Sequence, residues 1–145
     1  MKRKALAVTL LLACAALSAR PAWDEEPIEK LIARADSHSD NQAEYCADVA
    51  RREVEIANQY YTNGDVQKAE DAVKLTVTYS QKALEAAKRT HKKLKDTDLT
   101  LRKTSRRLSD VGQTLAFEDK PAIKDAVEKI EQVRSELLKM MFAQK

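Results

Sequence analysis

The chain has 145 residues, enough for one domain, and its composition is that of a helical bundle: 34% charged, 5% aromatic, 2 Gly and 3 Pro. Such scarce turn punctuation argues against a strand-rich fold, and so few aromatics exclude a large aromatic core. The net charge of +3 comes from Lys2, Arg3 and Lys4; residues 20–145 carry 23 side chains of each sign, so nucleic acid is not an expected partner.

Lys2-Arg3-Lys4 precedes an apolar run over residues 5–17 and the small pair Ser18-Ala19. This is the order of a secretory signal peptide, expected over residues 1–19 with cleavage after Ser18 or Ala19. As a helix the run reaches about 20 Å, short of the roughly 30 Å hydrocarbon core, so a permanent span is not expected. The expected address is therefore the periplasm or the medium. Leu11-Leu12-Ala13-Cys14 also resembles a bacterial lipobox, which would make Cys14 a lipidated first residue and the protein a membrane-anchored lipoprotein. The bulk of Leu12 and the apolar Ala15-Ala16-Leu17 beyond the cysteine favour the plain signal. Membrane association is expected only if Cys14 is lipidated or the leader is retained. Cys46 is then the one remaining thiol. It sits on an apolar helix face, so burial is expected ahead of pairing between chains.

Residues 20–145 read as one helical domain. A first helix is expected over about 25–37, with Asp24 as N-cap, Pro27 in the first turn and Trp23 stapled to Ile28. Ile28, Leu31, Ile32 and Ala35 form its apolar side. Ser39 and Gln42 have the spacing of a capping box before a second helix over about 41–62. One stripe of that helix holds Ala43, Ala47, Ala50, Val54, Ala57 and Tyr61, small enough for a close neighbour. A second stripe holds Cys46, Val49, Ile56 and Tyr60. Asn63-Gly64-Asp65 is a turn in which Asn or Gly takes the left-handed conformation and Asp65 caps the next helix.

Between Asp65 and Val111 there is neither Gly nor Pro, and apolar or small residues recur three and four apart from Val66 through Ser80, Leu84 and His91 to Leu115. This unbroken phase favours a long central helix over about 65–116, near 75 Å in length. The alternative is a break at Asp96-Thr97-Asp98, giving helices over 65–94 and 98–116. Asp119 and Pro121 then open a last helix over about 120–142, with Ile123, Val127, Ile130, Val133, Leu137 and Met140 on one stripe. The fold class is all-α: antiparallel helical hairpins built on the long helix. The assembly is elongated if that helix is continuous and a compact four-helix bundle if it turns.

Ala57, Tyr60, Gly64, Asp65 and Ala69 have the spacing of the middle of one tetratricopeptide repeat, and over about 20 residues the chain resembles that family. The resemblance implies a close antiparallel hairpin. No second copy and no closing Pro accompany it, so it does not imply the family's peptide groove.

Chemistry-bearing residues are sparse. His38 lies in the loop Asp36-Ser37-His38-Ser39-Asp40, which is not a defined metal-ligand set. His91 falls on the apolar stripe, where with Ser80 it would fix helix register. Cys46 paired with either histidine would lack an orienting group and an oxyanion donor, so no catalytic, metal or cofactor residue is expected. Tyr45, Tyr60, Tyr61 and Tyr79 are expected to cluster around the Asn63-Gly64 turn, sealing the boundary of the core with hydroxyls in water ahead of rimming a partner site. Charge is uneven: residues 20–62 hold 5 basic and 10 acidic side chains, residues 63–117 hold 12 and 7. Lys88, Arg89, Lys92, Lys93, Lys95, Arg102, Lys103, Arg106 and Arg107 form a basic segment. It is either a docking face for an anionic partner or a solvated face balanced by the acidic N-terminal helices. The expected function is a non-enzymatic, exported protein of the cell envelope acting through protein contact or self-association. The alternatives are binding of anionic lipid or polymer by the 88–107 segment, or weak metal or small-molecule capture near His38.

Overall fold

The computed structural model describes residues 25–143. The expected leader, Cys14, the Asp24 cap and the Trp23 staple lie outside these residues. Five helices follow one another: α1 (Ile28–Asp36), α2 (Gln42–Thr62), α3 (Val66–Thr90), α4 (Leu94–Gln113) and α5 (Lys120–Ala143). The architecture is all-α.

α1 starts three residues later than expected. Pro27 is its N-cap, with ψ at 138°, and the Pro27 carbonyl accepts from Lys30 and Leu31 N–H. A proline pushes the residue before it out of the helical region, so the helix cannot extend back through Glu25 and Glu26. The capping box at the start of α2 does not form. The Gln42 side chain instead donates to the Ala35 carbonyl at 2.9 Å, and the Cys46 thiol donates to the same oxygen at 3.3 Å. Two donors from α2 thus satisfy an orphan carbonyl at the end of α1.

Asn63-Gly64-Asp65 joins α2 to α3, with Gly64 at φ 78° and the Asp65 carboxylate accepting from Lys68 N–H. A side chain at that φ would be strained, which is what glycine avoids. α2 and α3 then pack along their length through small residues. Ala43, Ala47, Ala50 and Ala57 of α2 and Ala69, Ala72, Ala83 and Ala87 of α3 are all buried as the two helices pack together. The polar residues of this interface are self-satisfied: Thr76 and Ser80 donate to the carbonyls one turn earlier, at 3.0 and 2.7 Å.

The long central helix is not continuous, and its break is not at Asp96-Thr97-Asp98. The chain turns at residues 91–93, with His91 at φ 52° and Lys93 at φ 60°, both left-handed. Two such non-glycine residues cost roughly 1–2 kcal/mol each. A straight helix would carry residues 94–113 away from α2. Turning back buries Leu94, Leu101, Leu108 and Val111 almost completely, at about 1.5–3 kcal/mol for each large aliphatic side chain. Long-range burial therefore outweighs local strain. Asp96 lies in the first turn of α4, where an acid faces the positive end of the helix, so its poor helix propensity matters little.

Lys93 pairs with Glu44 at 3.5 Å and Arg107 with Glu55 at 2.7 Å, so α4 runs beside α2 in the same direction. Arg134 pairs with Asp98 at 2.9 Å, so α5 returns antiparallel along α4. Gly112 permits this return: a Cβ there would lie 2.7 Å from Ile123 Cγ2. α3 and α5 start at the same end and lie side by side. The result is two hairpins, α2–α3 and α4–α5, closed into a four-helix bundle. α2 and α4 form one layer and α3 and α5 the other; α3 and α4 meet only weakly. α1 covers the first half of α2. The Arg52 guanidinium donates to the Glu26 carbonyl, fixing where the chain enters α1.

Candidate functional site

The basic segment runs from the end of α3 through the 91–93 turn into α4, and the structure divides all of it but Lys88 into two sets. Lys92 reaches Asp40 at 2.8 Å and holds that carboxyl below the usual carboxylate range, chiefly by its hydrogen bond. Lys93 reaches Glu44. Arg107 forks onto both oxygens of Glu55 at 2.7 and 3.0 Å, and the Arg107 hydrogen bond is the main reason the Glu55 carboxyl is held low. Arg89 donates to the Gln42 side-chain oxygen. These residues clamp α4 and the end of α3 to the acidic first half of the chain.

Lys95, Arg102, Lys103 and Arg106 form the other set. They are exposed, and among the described residues none has an ion pair or hydrogen bond. Their spacing places them on one side of α4, around Leu99, which is 40% exposed. Asp110, one turn beyond Arg106, closes the stripe. From Lys95 to Arg106 it spans about 16 Å. Lys88 stands apart on α3, where its charge contributes to lowering the Glu136 carboxyl, after the hydrogen bond and charge of Lys139.

The histidines are not brought together with other ligands. His38 lines a cavity of about 400 Å³ with Asp36, Gln42, Lys82, Glu85 and Arg89. The Asp36 carboxylate there accepts from Lys82 at 3.0 Å and from the Tyr79 hydroxyl at 3.3 Å, and Asp40 is turned to Lys92. Among the described residues no three His, Cys, Asp or Glu side chains are placed to hold a metal ion. His91 is exposed at the left-handed end of α3, not on the core stripe; the turn at 91–93 takes it off the helix and leaves Leu94 to fill the core. Cys46 is buried, and burial pushes its thiol up to about 11. A protonated thiol engaged with a carbonyl is a poor nucleophile.

The tyrosines do not form one rim. Tyr60 lies under the Lys68 ammonium near the turn, while the Tyr61 hydroxyl is buried without a partner and pushed up to about 12, first by burial and then by Glu70 and Asp119. Tyr45, stacked under Arg34, and Tyr79, hydrogen-bonded to Asp36, instead hold α1 at the other end. Thirteen residues into α3 place Tyr79 about 20 Å from the Asn63-Gly64 turn, which linear proximity conceals.

Two buried acids escape a reading by apolar stripes. Asp98 is covered and paired with Arg134, which also holds Glu131 at 2.9 Å. Glu53 is only 5% exposed. It occupies the gap between Val49 and Ile56 in the second stripe of α2, a spacing that marks it as inward-facing. No family model, no curated protein and no solved structure matches the chain.

Proposed function

We propose that this chain is a non-catalytic helical module of the cell envelope that acts by contact with another protein, docking an acidic surface on the α4 stripe. The observation that carries this reading is the set of four exposed cations around Leu99 that the fold leaves unpaired while it uses their neighbours as clamps. An exposed leucine ringed by cations supplies an apolar anchor and a charge pattern that selects and orients an acidic partner. Lys2-Arg3-Lys4 and the apolar run behind them support export before folding.

The test is calorimetry of the mature chain with an acidic amphipathic peptide at low and physiological salt. Binding weakens with salt, because exposed charges are screened over about 8 Å at physiological ionic strength. Arg102→Glu with Arg106→Glu abolishes it, and Lys88→Glu does not. Binding that ignores salt and the double reversal removes this reading. The second reading is adsorption to anionic lipid or polymer by the same four cations. Leu99 alone gives the stripe little to insert into a bilayer, and no helix among the described residues is long and apolar enough to cross one. Sedimentation with anionic vesicles in preference to the acidic peptide would replace the first reading with the second.

A further inference from the structure

Gln42, Cys46, Val49, Glu53, Ile56 and Tyr60 recur four and three apart and lie on one side of α2. α1 covers the first of them. Among the described residues α1 and its lead-in reach Arg52 and no further, so no described helix lies over Glu53, Ile56 and Tyr60, which continue the same track. α3 forms the other wall with Ala72 and Leu75, the latter 42% exposed. The groove so formed has a volume of about 260 Å³. That is below the roughly 300 Å³ at which ligand pockets begin, and suits one or two side chains rather than a whole cofactor.

Glu53 lines this groove as a carboxylate with no direct partner. Among the described residues no hydrogen bond or ion pair reaches the Glu53 carboxylate. Cations stand nearby, but each is taken. Lys68, which also lines the groove, pairs with Asp65 at 3.1 Å, and the Arg52 guanidinium donates to the Glu26 carbonyl. Burial raises the Glu53 carboxyl above its ordinary range, and the charge of Arg52 opposes this only in part. A buried carboxylate in this state gains by meeting a cation with an apolar stem.

We propose that the groove between α2 and α3 is a docking site for a segment of another protein that presents a Lys or Arg beside an apolar residue. The basic head reaches Glu53. Its methylenes lie along Ile56 and Ala72, and the neighbouring apolar residue covers Leu75. α1 shows the mode of binding, since its Ala35 end meets Gln42 and Cys46 of the same track of α2. The groove and the α4 stripe ask for opposite charge, so the two contacts are independent.

The test uses the full mature chain and a short amphipathic peptide carrying one Arg beside a leucine, with a twin in which neutral citrulline replaces that Arg. Calorimetry is expected to show the Arg peptide binding about tenfold more tightly. Glu53→Gln removes that preference while circular dichroism and the melting curve show the fold retained. Leu75→Ala weakens both peptides about threefold, and Arg102→Glu with Arg106→Glu leaves both unchanged. Equal binding of the twins, or a preference that survives Glu53→Gln, overturns the proposal. A mass that rises with concentration and returns to monomer in Glu53→Gln also overturns it, by placing a second copy in the groove. Tighter peptide binding in Trp23→Ala overturns it too, by assigning the groove to the chain's own N-terminal residues.

Discussion

The two hairpins of the bundle solve the same packing problem with different side chains. In α2–α3 the interface is built from alanines, with Thr76 and Ser80 bonded to their own helix. In α4–α5 it is built from Leu101, Leu108, Ile123, Ile130 and Leu137, with one covered ion pair. Small residues bring backbones together and leave no room to grow. Large residues fill a wider gap and leave a hole when removed. The first hairpin should therefore resist truncation and fail on enlargement, and the second should do the reverse.

The largest expected effect tests the second half of that contrast. Leu108→Ala should lower stability by about 3–4 kcal/mol in urea unfolding, because Leu108 is fully buried and its neighbours can close only part of the cavity. A loss as small as a surface substitution gives would mean that α5 does not seat on α4. Ala50→Leu tests the first half and should cost about 2 kcal/mol by overpacking, whereas the same change on an exposed helix face would be nearly neutral. Asp98→Ala should cost about 2 kcal/mol. It leaves Arg134 covered, though still held by Glu131.

The junction between the hairpins offers a sharper test, since its two readings differ in sign. With His91 and Lys93 left-handed, His91→Gly or Lys93→Gly should each raise stability by about 0.5–1 kcal/mol. In a continuous helix the same changes would lower it by about 1 kcal/mol. Thermal melts of the two variants decide between them.

An effect of similar size concerns Glu53 and carries a pH signature. Its folded carboxyl is raised, so the folded state holds its proton more tightly than the unfolded chain does. The group is neutral and harmless below the ordinary glutamate range near pH 4. Its destabilisation develops as pH rises through that range. Glu53→Gln should therefore be more stable than the parent by about 1 kcal/mol at neutral pH. The two melting curves should converge at about pH 4 and below. A constant offset across pH would show that the carboxylate is solvated.

Much of the architecture was legible in the chain. The turn at Asn63-Gly64-Asp65 is marked by residues whose local chemistry admits few conformations, and the alanine stripe of α2 announced a close neighbour. The break at residues 91–93 was not legible. Nothing in Thr90-His91-Lys92-Lys93 opposes a helix as proline would, and the weaker helix formers Asp96, Thr97 and Asp98 drew attention to the wrong place. The α4 stripe was half legible. The nine basic residues are obvious, but their division depends on Asp40, Glu44 and Glu55, some 50 residues earlier in the chain. Glu53 was hidden because an acid amid charged neighbours reads as solvated unless the gap in the stripe is counted.

By itself the sequence determined that the described chain is helical, which faces of its helices are apolar, and where glycine and proline interrupt them. Each of these follows from interactions within a few residues: backbone sterics, propensity and the three-four recurrence of apolar side chains. The tertiary structure decided where the long run turns, which cations are consumed as clamps, and that the largely buried Glu53 has no hydrogen-bond or ion-pair partner among the described residues. Those outcomes are differences between large distant terms, burial against strain and pairing against hydration, and no local segment of the chain holds both sides of such a difference.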